Sequence, residues 1–294
     1  MELNTLPATA PPRPAATVAM LRDDAEGLQV FLLRRHGASD VLGGAYVFPG
    51  GKLDAADAQL DAALYLDQSP QALHASLHDA ELDIANAAGL YVAAVREAFE
   101  ESGVLFAEPA DAAGLVDIAQ AAALLRSGCA FGPLLAQLGL RLQTERLVPW
   151  SRWITPRIPS VMSKRFDTRF FVAAAPPEQV ARHDDHETTE SIWLAPRAAL
   201  QLYWDNQIEL APPQIMTLAQ LSRHHNVAGV LAAARAASPP LIQPESIEES
   251  GTRVVCYPGD VLHPVRERAM PGPTRLRWHN KRFEPVDGLD ALFQ

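Results

Sequence analysis

REAFEESGV, residues 96–104, carries the strongest structural signal in this 294-residue chain. Residues three and four apart are neighbours on a helix, so Glu97 lies on the same face as Glu100 and Glu101. Like charges at that spacing repel one another, and the glycine at 103 is typical of a helix end. A hard divalent cation with oxygen ligands is the natural counter-charge for these carboxylates, and a solvated Glu-rich helix face is the alternative.

A second segment, FPGGKLD at 48–54, lies upstream and forms a glycine turn after an apolar run. Together the two segments resemble the Nudix hydrolases, whose box reads G-x5-E-x7-R-E-U-x-E-E-x-G-U, with U an aliphatic residue. Gly51 matches the first glycine, Asp57 stands where the family has its first glutamate, and residues 96–104 match the second half. Between the halves, positions 58–95 supply 38 residues where the family pattern has seven.

A split box of this kind resembles one subgroup, that of the mammalian peroxisomal coenzyme A diphosphatase and its bacterial relatives. Further stretches resemble the same subgroup from about residue 16 to about residue 286. They are GAYVFPGGKLDAAD (44–57), WITP (153–156), RFDTRFF (165–171), PPQ (212–214) and YPGD (257–260). The resemblance implies an α/β fold, a Nudix-type α/β/α sandwich with a mixed sheet, and the interleaving of strand and helix patterns favours the same class.

The domain organisation follows from these patterns. We predict a flexible tail at 1–15, a Nudix domain at 16–200 and a C-terminal helix plus β extension at 201–294 that packs on the core. Apolar residues at helical spacing predict a helical insertion at about 58–89, which we expect to overhang one rim of the substrate pocket and to influence substrate choice. Within the C-terminal part, residues 213–237 read as one long helix.

Composition limits the function classes. A net charge of −10 argues against general binding of nucleic acid or of a membrane surface. The two cysteines offer neither a disulfide framework nor a metal-binding spacing. The N-terminus lacks the features of a signal peptide, the final LFQ is not a peroxisomal tripeptide, and no apolar run is long enough to span a membrane. We expect a cytoplasmic protein with a small-molecule partner, for which a homodimer is a possible state.

The resemblance also implies roles for the box residues. Glu97 and Glu101 correspond to the principal ligands of Mg²⁺ or Mn²⁺, Glu100 to a further ligand, and the Gly51 carbonyl to an additional oxygen. Arg96 corresponds to the arginine that orients a box carboxylate, with a surface salt bridge as the alternative. Such a metal can polarise a phosphoryl oxygen and lower the pKa of a bound water. Asp57 is shorter than the family glutamate, and a helix-start residue is an equal interpretation of it.

The general base stays open between two carboxylates of the segment HDDHETTE at 183–190. Glu187 and Glu190 are the candidates, and the spacing of Glu190 to Trp193 resembles the Glu-x-x-Trp of many Nudix enzymes. A base must lie within hydrogen-bond reach of the water that it activates. His183 and His186 could form a second metal site, but solvated loop histidines are far commoner.

Basic residues are concentrated in one segment, 152–169. We predict that five of them bind the phosphates of the substrate: Arg152, Arg157, Lys164, Arg165 and Arg169. A set of surface charges pointing in several directions is the alternative. The aromatic residues Trp150, Trp153 and Phe166 nearby either stack on a base or fill the core, and core filling is the better interpretation of each.

Three functions remain open. The first is a metal-dependent diphosphatase for coenzyme A or acyl-coenzyme A, although His36 and Asp40 stand where the coenzyme A signature of other Nudix enzymes has Ser and Arg. The second is a Nudix hydrolase for another nucleoside diphosphate derivative, such as an ADP-sugar or NADH. The third is a ligand-binding regulator without turnover, which would not need Arg96 and the three carboxylates.

Overall fold

Strands and helices interleave along the chain. The computed structural model describes residues 8, 10–37, 39, 42–111, 115–158, 164–184 and 188–294. The strands are β1 Arg13–Asp24, β2 Gly27–Arg35, β3 Tyr46–Val47, β4 Gly50–Lys52, β5 Ala107–Pro109, β6 Leu140–Leu142, β7 Val148–Ile154, β8 Phe166–Ala174, β9 Thr188–Leu194, β10 Leu241–Ile242, β11 Glu245–Glu249, β12 Thr252–Cys256, β13 Arg275–His279 and β14 Arg282–Pro285. The helices are α1 Ala55–Ala58, α2 Ala62–Tyr65, α3 Pro70–Leu77, α4 Ile84–Ser102, α5 Ile118–Arg126, α6 Phe131–Leu138, α7 Pro196–Trp204, α8 Pro212–Leu221 and α9 Val227–Ala236, with 3₁₀ turns at Thr144–Arg146 and Leu289–Phe293.

One mixed sheet forms the centre of the molecule. Within the described ranges it has eight strands in the order β10-β7-β8-β1-β2-β3, with β4 paired to β1 and β9 paired to β2. The pairs β1–β8 and β10–β7 are parallel, and the remaining pairs are antiparallel. The turn segment 23–27 between two apolar runs predicts a hairpin, and the structure confirms it, with Asp24 opposite Gly27 across a two-residue turn between β1 and β2.

The glycine turn lies inside this sheet. Beyond their paired ends β1 and β2 separate, and residues 46–52 enter the gap between them. There β3 pairs with β2 and β4 pairs with β1, so that Gly51 lies opposite Ala16. The Thr17 hydroxyl donates a hydrogen bond of 2.7 Å to the carbonyl of Pro49. The turn is therefore held by strand pairing on both sides.

Two hydrophobic clusters cover the two faces of the sheet. Because side chains alternate along a strand, Val18 and Met20 of β1 join the cluster built on α4, while Ala19 and Leu21 join the cluster built on α7–α9. The C-terminal region adds Val255 and other residues to the second cluster, and its strands form a separate sheet of order β11-β12-β13-β14. The predicted α/β/α sandwich with a mixed sheet is confirmed.

The insertion is helical, as predicted from its periodicity. The Ser69 hydroxyl accepts a hydrogen bond from the Ala72 N–H at the start of α3, and Pro70 occupies the first turn. Leu73 and Leu77 of α3 are buried in the α4 cluster together with Leu66. The insertion therefore packs on the α4 face of the sheet. No helix in the described part of the chain is long and apolar enough to cross a membrane.

The long helix predicted at 213–237 is wrong, because the chain breaks it into α8 and α9. Asn226 ends the break as the N-cap of α9, and its side chain accepts from the Gly229 N–H at 2.8 Å. Gly132 and Pro133, within the Ala/Leu-rich stretch 112–140, also predict a helix break, and this prediction is wrong. Both residues lie in the first turn of α6, where a proline needs no hydrogen-bond donor.

Candidate active site

Helix α4 carries the predicted carboxylates and spans 19 residues. Asp83 caps its start by accepting a hydrogen bond of 2.8 Å from the Asn86 N–H. Gly103 ends it in the left-handed region at φ +70°, and its N–H donates to the Phe99 carbonyl at 2.8 Å. The predicted helix end is confirmed, and the last two turns of α4 come to lie against the glycine turn.

Arg96 is the centre of the site and is buried. Its Nε and Nη2 donate to the two carboxylate oxygens of Asp57 at 2.9 and 2.8 Å, a bidentate pair. Its Nη1 donates to Glu97 Oε1 at 2.8 Å and to Glu100 Oε2 at 3.1 Å. Its Nη2 also donates to the Lys52 carbonyl at 3.1 Å. Burial lowers the pKa of Arg96, but the bond to Asp57 and the charges of Glu97 and Glu100 outweigh it and hold the pKa above its ordinary value.

Asp57 combines the two roles that the sequence left open. Its carboxylate accepts from the Asp54 N–H at 2.9 Å, which completes a capping box at the start of α1, and it also holds Arg96. Helix α1 lies so close to α4 that a Cβ at Gly89 would come within 2.8 Å of the Ala58 Cα. The two halves of the split box are thus adjacent in space, on either side of the insertion.

Gly89 has a packing role although it lies outside every sequence motif named above. A glycine in the middle of a helix costs about 1 kcal/mol relative to alanine, so its presence inside the apolar run of α4 was the available signal for close packing.

The remaining carboxylate, Glu101, holds the glycine turn. It is almost fully buried, its Oε2 accepts from the Gly50 N–H at 2.9 Å, and its Oε1 lies 3.9 Å from Arg35 Nη1. Next to it, a Cβ built on Gly51 would lie 2.3 Å from Glu97 Oε1. Only glycine at 51 therefore lets the backbone of the turn approach the carboxylates of α4.

A cavity of about 420 Å³ opens on the α7–α9 face of the sheet and reaches the glycine turn. The strand register defines its floor, because Lys52, Ala15, Thr168 and Trp153 are successive Cα partners across β4, β1, β8 and β7. Phe48, Phe170, Val255 and the segment 211–214 complete the lining, together with Glu97 at the rim. None of the insertion residues, 58–89, lines this cavity, so the expected overhang is wrong: the leucines of the insertion are buried on the opposite face.

Two of the predicted phosphate-binding residues, Arg152 and Arg169, lie on the α4 face instead. Arg152 Nε and Nη2 donate to Asp167 at 2.9 and 2.8 Å, and its Nη1 lies 2.9 Å from Asp79. Arg169 is buried and paired with the same two aspartates. Burial raises the pKa of Asp167, but the bonds from both arginines outweigh it and lower the pKa. Both arginines therefore serve an internal ion-pair cluster, because alternation along β7 and β8 turns them away from the cavity.

The other three basic residues of segment 152–169 do not lie together either. Lys164 lines the cavity. Arg165 uses its Nε to donate to the Thr155 carbonyl at 3.0 Å, and Arg157 is exposed beside the cavity without lining it. The predicted patch of five residues is thus not brought together, and Lys164 is the member that faces the cavity.

The chain matches the family model described as "NUDT19 Nudix domain" over residues 5–221. This protein belongs to the Nudix family. It is 30% identical over 248 residues to the human protein named "Acyl-coenzyme A diphosphatase NUDT19", a match that covers 73% of this chain and 64% of the relative. The relative of the same name from Xenopus laevis is 28% identical over 225 residues, with 66% of this chain and 59% of the relative covered.

A solved Nudix structure is also similar. The crystal structure of a Nudix hydrolase from Alicyclobacillus acidocaldarius superimposes with a TM-score of 0.63 and 26% identity, covering 79% of this chain and 99% of that one. The chain spans about three fifths of the length of the two curated relatives named above.

Nudix hydrolases generally need a divalent metal, and the donor set of this Nudix protein fits one chemically. Glu97, Glu100 and Glu101 supply hard carboxylate oxygens beside the backbone of Gly51, where the missing Cβ leaves room. In the structure the first two carboxylates are turned to Arg96 and the third to the Gly50 N–H, so the described residues contain no preformed group of three or more His, Cys, Asp or Glu around one point.

Of the two candidate bases of this Nudix chain, the structure describes Glu190 but not Glu187. Glu187, like His186 and Asp40, lies outside the described residues. Glu190 pairs with Arg34 at 3.5 Å, opposite it in the register of β2 and β9. Alternation along β2 puts Arg34 on the α7–α9 face and Arg35, the neighbour of Glu101, on the α4 face. The described structure therefore does not bring Glu190 to the α4 carboxylates. His183 contacts Ser191, with Nδ1 3.2 Å from the hydroxyl.

Proposed function

We propose that this Nudix protein is a diphosphatase that uses Mg²⁺ or Mn²⁺ to hydrolyse coenzyme A or acyl-coenzyme A. One observation carries the proposal: three carboxylates within 3.1 Å and a fourth at 3.7 Å surround the single buried guanidinium of Arg96, beside a glycine turn that opens into a cavity with basic lining. The names of the human and Xenopus laevis relatives support this choice of substrate.

The carboxylates divide the chemical work. Glu97 and Glu101 are the proposed principal ligands, with Glu100 and the Gly51 carbonyl as further oxygens. A bound divalent ion supplies activation of a water and neutralisation of phosphate charge. Arg96 positions Glu97 and Glu100 through its Nη1, and the basic Arg35 and Lys52 at the rim offset the charge of the diphosphate.

The proton acceptor is proposed among Glu100, Glu187 and Glu190. Glu100 is the candidate that the described structure holds beside Arg96, and burial raises its pKa although Arg96 opposes the shift. Single changes of each residue to Gln separate the candidates. Loss of the base removes the acidic limb of the pH–kcat profile, whereas a change at a residue without that role leaves the profile in place.

A hydrolysis screen tests the substrate. Purified protein with Mg²⁺ or Mn²⁺ is given coenzyme A, an acyl-coenzyme A, NADH and ADP-ribose, and the products are separated by ion-exchange chromatography. We expect the highest kcat/KM for coenzyme A or its acyl ester, with cleavage within the diphosphate. A preference for ADP-ribose or NADH would instead support the alternative pyrophosphatase, and binding without turnover of any of the four would support a regulator.

We further propose a cytoplasmic location, a small-molecule nucleoside diphosphate derivative as the partner, and a homodimer as a possible assembly. Cys129 and Cys256, which form no disulfide, are compatible with a reducing compartment. Fractionation of cells and light scattering of the purified protein test the two statements, and a membrane-bound or strictly monomeric protein would contradict them.

A further inference from the structure

Charge is distributed unevenly around the cavity. Its described lining contains four basic residues, Arg13, Arg35, Lys52 and Lys164, and one carboxylate, Glu97. The chain as a whole has a net charge of −10, so this surface is of the opposite sign to the molecule. One diphosphate bound with a divalent cation does not require four cationic side chains around it.

The four cations fall into two groups along β1. Lys52 lies opposite Ala15 and next to Gly51, and Arg35 contacts Glu101, so both belong to the diphosphate end. Arg13 starts β1, two residues before Ala15, and alternation places its side chain on the same face as that of Ala15. Counted along the strand from Arg13 to the partner of Gly51, the two ends are about 10 Å apart.

Lys164 belongs to the far end together with Arg13. Arg13 lies opposite Phe166 in the parallel register of β1 and β8, and its backbone N–H donates to the Arg165 carbonyl at 3.0 Å. Lys164 directly precedes this pairing and lines the cavity with Phe166. Apart from Lys52 opposite Ala15, the floor between the two ends consists of uncharged residues such as Ala15 and Thr168, which suits a nucleoside.

The Arg13 guanidinium is not engaged in interactions that stabilise the fold. Among the residues that the structure describes, it makes no ion pair and no side-chain hydrogen bond, and it is exposed. Arg152 and Arg169, by contrast, are occupied by Asp79 and Asp167. An arginine that lines a cavity without an internal partner is available to an anionic ligand.

We propose that Arg13 and Lys164 bind a second phosphate of the substrate, a monoester on its nucleoside that takes no part in the reaction. This inference rests on the proposed function and narrows it to nucleoside diphosphate compounds that carry an additional phosphate. Coenzyme A has such a group at the 3′ position of its ribose, whereas NADH and ADP-ribose have none. A phosphate monoester is close to dianionic at neutral pH, which matches two cationic side chains.

The test compares coenzyme A with 3′-dephospho-coenzyme A, which differ only in this phosphate. For the wild-type protein we expect kcat/KM to be on the order of tenfold to a hundredfold higher for coenzyme A. The double variant Arg13→Gln/Lys164→Gln should lose this preference, because its kcat/KM should fall for coenzyme A and stay unchanged for 3′-dephospho-coenzyme A. Lys281→Gln, which removes an exposed lysine of the β13–β14 turn, is the matched control and should keep the preference.

A binding measurement separates this inference from the proposed function. Calorimetry without metal compares adenosine 3′,5′-bisphosphate with AMP, and we expect tighter binding of the bisphosphate that depends on Arg13 and Lys164. If the protein hydrolyses both coenzyme A forms equally and the double variant changes nothing, the inference is wrong while the proposed function stands. If it hydrolyses neither, the proposed function fails. The inference is then upheld by tighter, Arg13-dependent binding of the bisphosphate and overturned by equal binding.

Discussion

Two buried arginines on the α4 face of the sheet, Arg169 and Arg96, differ in the number of carboxylates that surround each guanidinium. Arg169 and its neighbour Arg152 share Asp79 and Asp167, two guanidinium groups for two carboxylates. Arg96, in contrast, is a single guanidinium that faces three carboxylates within 3.1 Å and a fourth, that of Asp54, at 3.7 Å, with Glu101 beside the same turn.

The difference separates a structural cluster from a reactive one. The Arg152–Arg169 cluster is balanced, and because Asp79 follows α3 it fastens the insertion to β7 and β8. The Arg96 cluster keeps an excess of negative charge at the rim of a cavity, where a divalent cation can complete it. The balance of charges, rather than burial or the presence of arginine, distinguishes the two.

The largest effect is expected for Arg96→Met, which removes the centre of the unbalanced cluster. The buried Asp57 carboxylate then loses its bidentate partner, so the free energy of unfolding should fall by about 4 kcal/mol. Activity should fall as well, because Glu97 and Glu100 lose the group that positions them. Urea unfolding and steady-state kinetics measure both, and Arg96→Lys serves if the first variant does not fold. Unchanged activity in either variant would contradict the positioning role.

Glu101→Gln should change activity without lowering stability. It removes one ligand charge, and we expect kcat to fall on the order of a hundredfold or more. The glutamine can still accept a hydrogen bond from Gly50 and relieves like-charge repulsion, so the Tm without metal should stay level or rise. Glu178→Gln, at an exposed residue, is the control. An active Glu101→Gln enzyme would place the metal elsewhere.

Asp79→Asn should show the opposite pattern in the balanced cluster. Two arginines lose a shared carboxylate, so the free energy of unfolding should fall by about 3 kcal/mol while kcat/KM stays within about twofold. Glu81→Gln, an exposed change nearby, is the control. A large loss of kcat/KM at a temperature where the variant is folded would show that the insertion contributes to the reaction.

The smallest effect concerns Asp260, which holds the C-terminal region. Burial raises its pKa, but two bonds of 2.7 Å from Arg275, with others from Leu262 and Thr274, outweigh it and lower the pKa to about 2. Because the pKa of Asp260 is lower in the folded than in the unfolded state, its carboxylate stabilises the fold at pH values above the unfolded pKa of 3.8. This stabilisation is lost as the pH falls towards 2. Asp260→Asn should therefore cost roughly 2 kcal/mol at pH 7 and almost nothing at pH 2.

Urea unfolding at several pH values measures the difference between wild type and Asp260→Asn, and Asp287→Asn, at an exposed aspartate, is the control. A difference that stays constant down to pH 2 would mean that the carboxylate of Asp260 is not the source.

Local signals in the sequence were sufficient for α4, the glycine turn and the first hairpin. The spacing of Glu97, Glu100 and Glu101 and the terminating Gly103 depend on one helix, and the structure has that helix. The helix cap at Ser69 can be predicted from a few adjacent residues, and the fold class can be predicted from the order of strand and helix patterns.

Residues whose roles depend on packing could not be assigned in this way. Arg152 and Arg169 resemble a phosphate-binding patch until Asp79, far away in the chain, is brought beside them. The same applies to Gly89, whose function is to let α1 approach, and to Arg13, which the sequence places in a tail but the structure places in β1 at the cavity. Charge pairing across the fold is not encoded in local spacing.

The central claim is that the carboxylate excess around Arg96 works with a divalent cation. The most direct test measures hydrolysis of coenzyme A by the purified protein in excess chelator and again after addition of Mg²⁺ or Mn²⁺. We predict no turnover with chelator and full recovery with metal, because four carboxylates within ion-pair distance share the single guanidinium of Arg96. Full turnover in excess chelator would contradict the account.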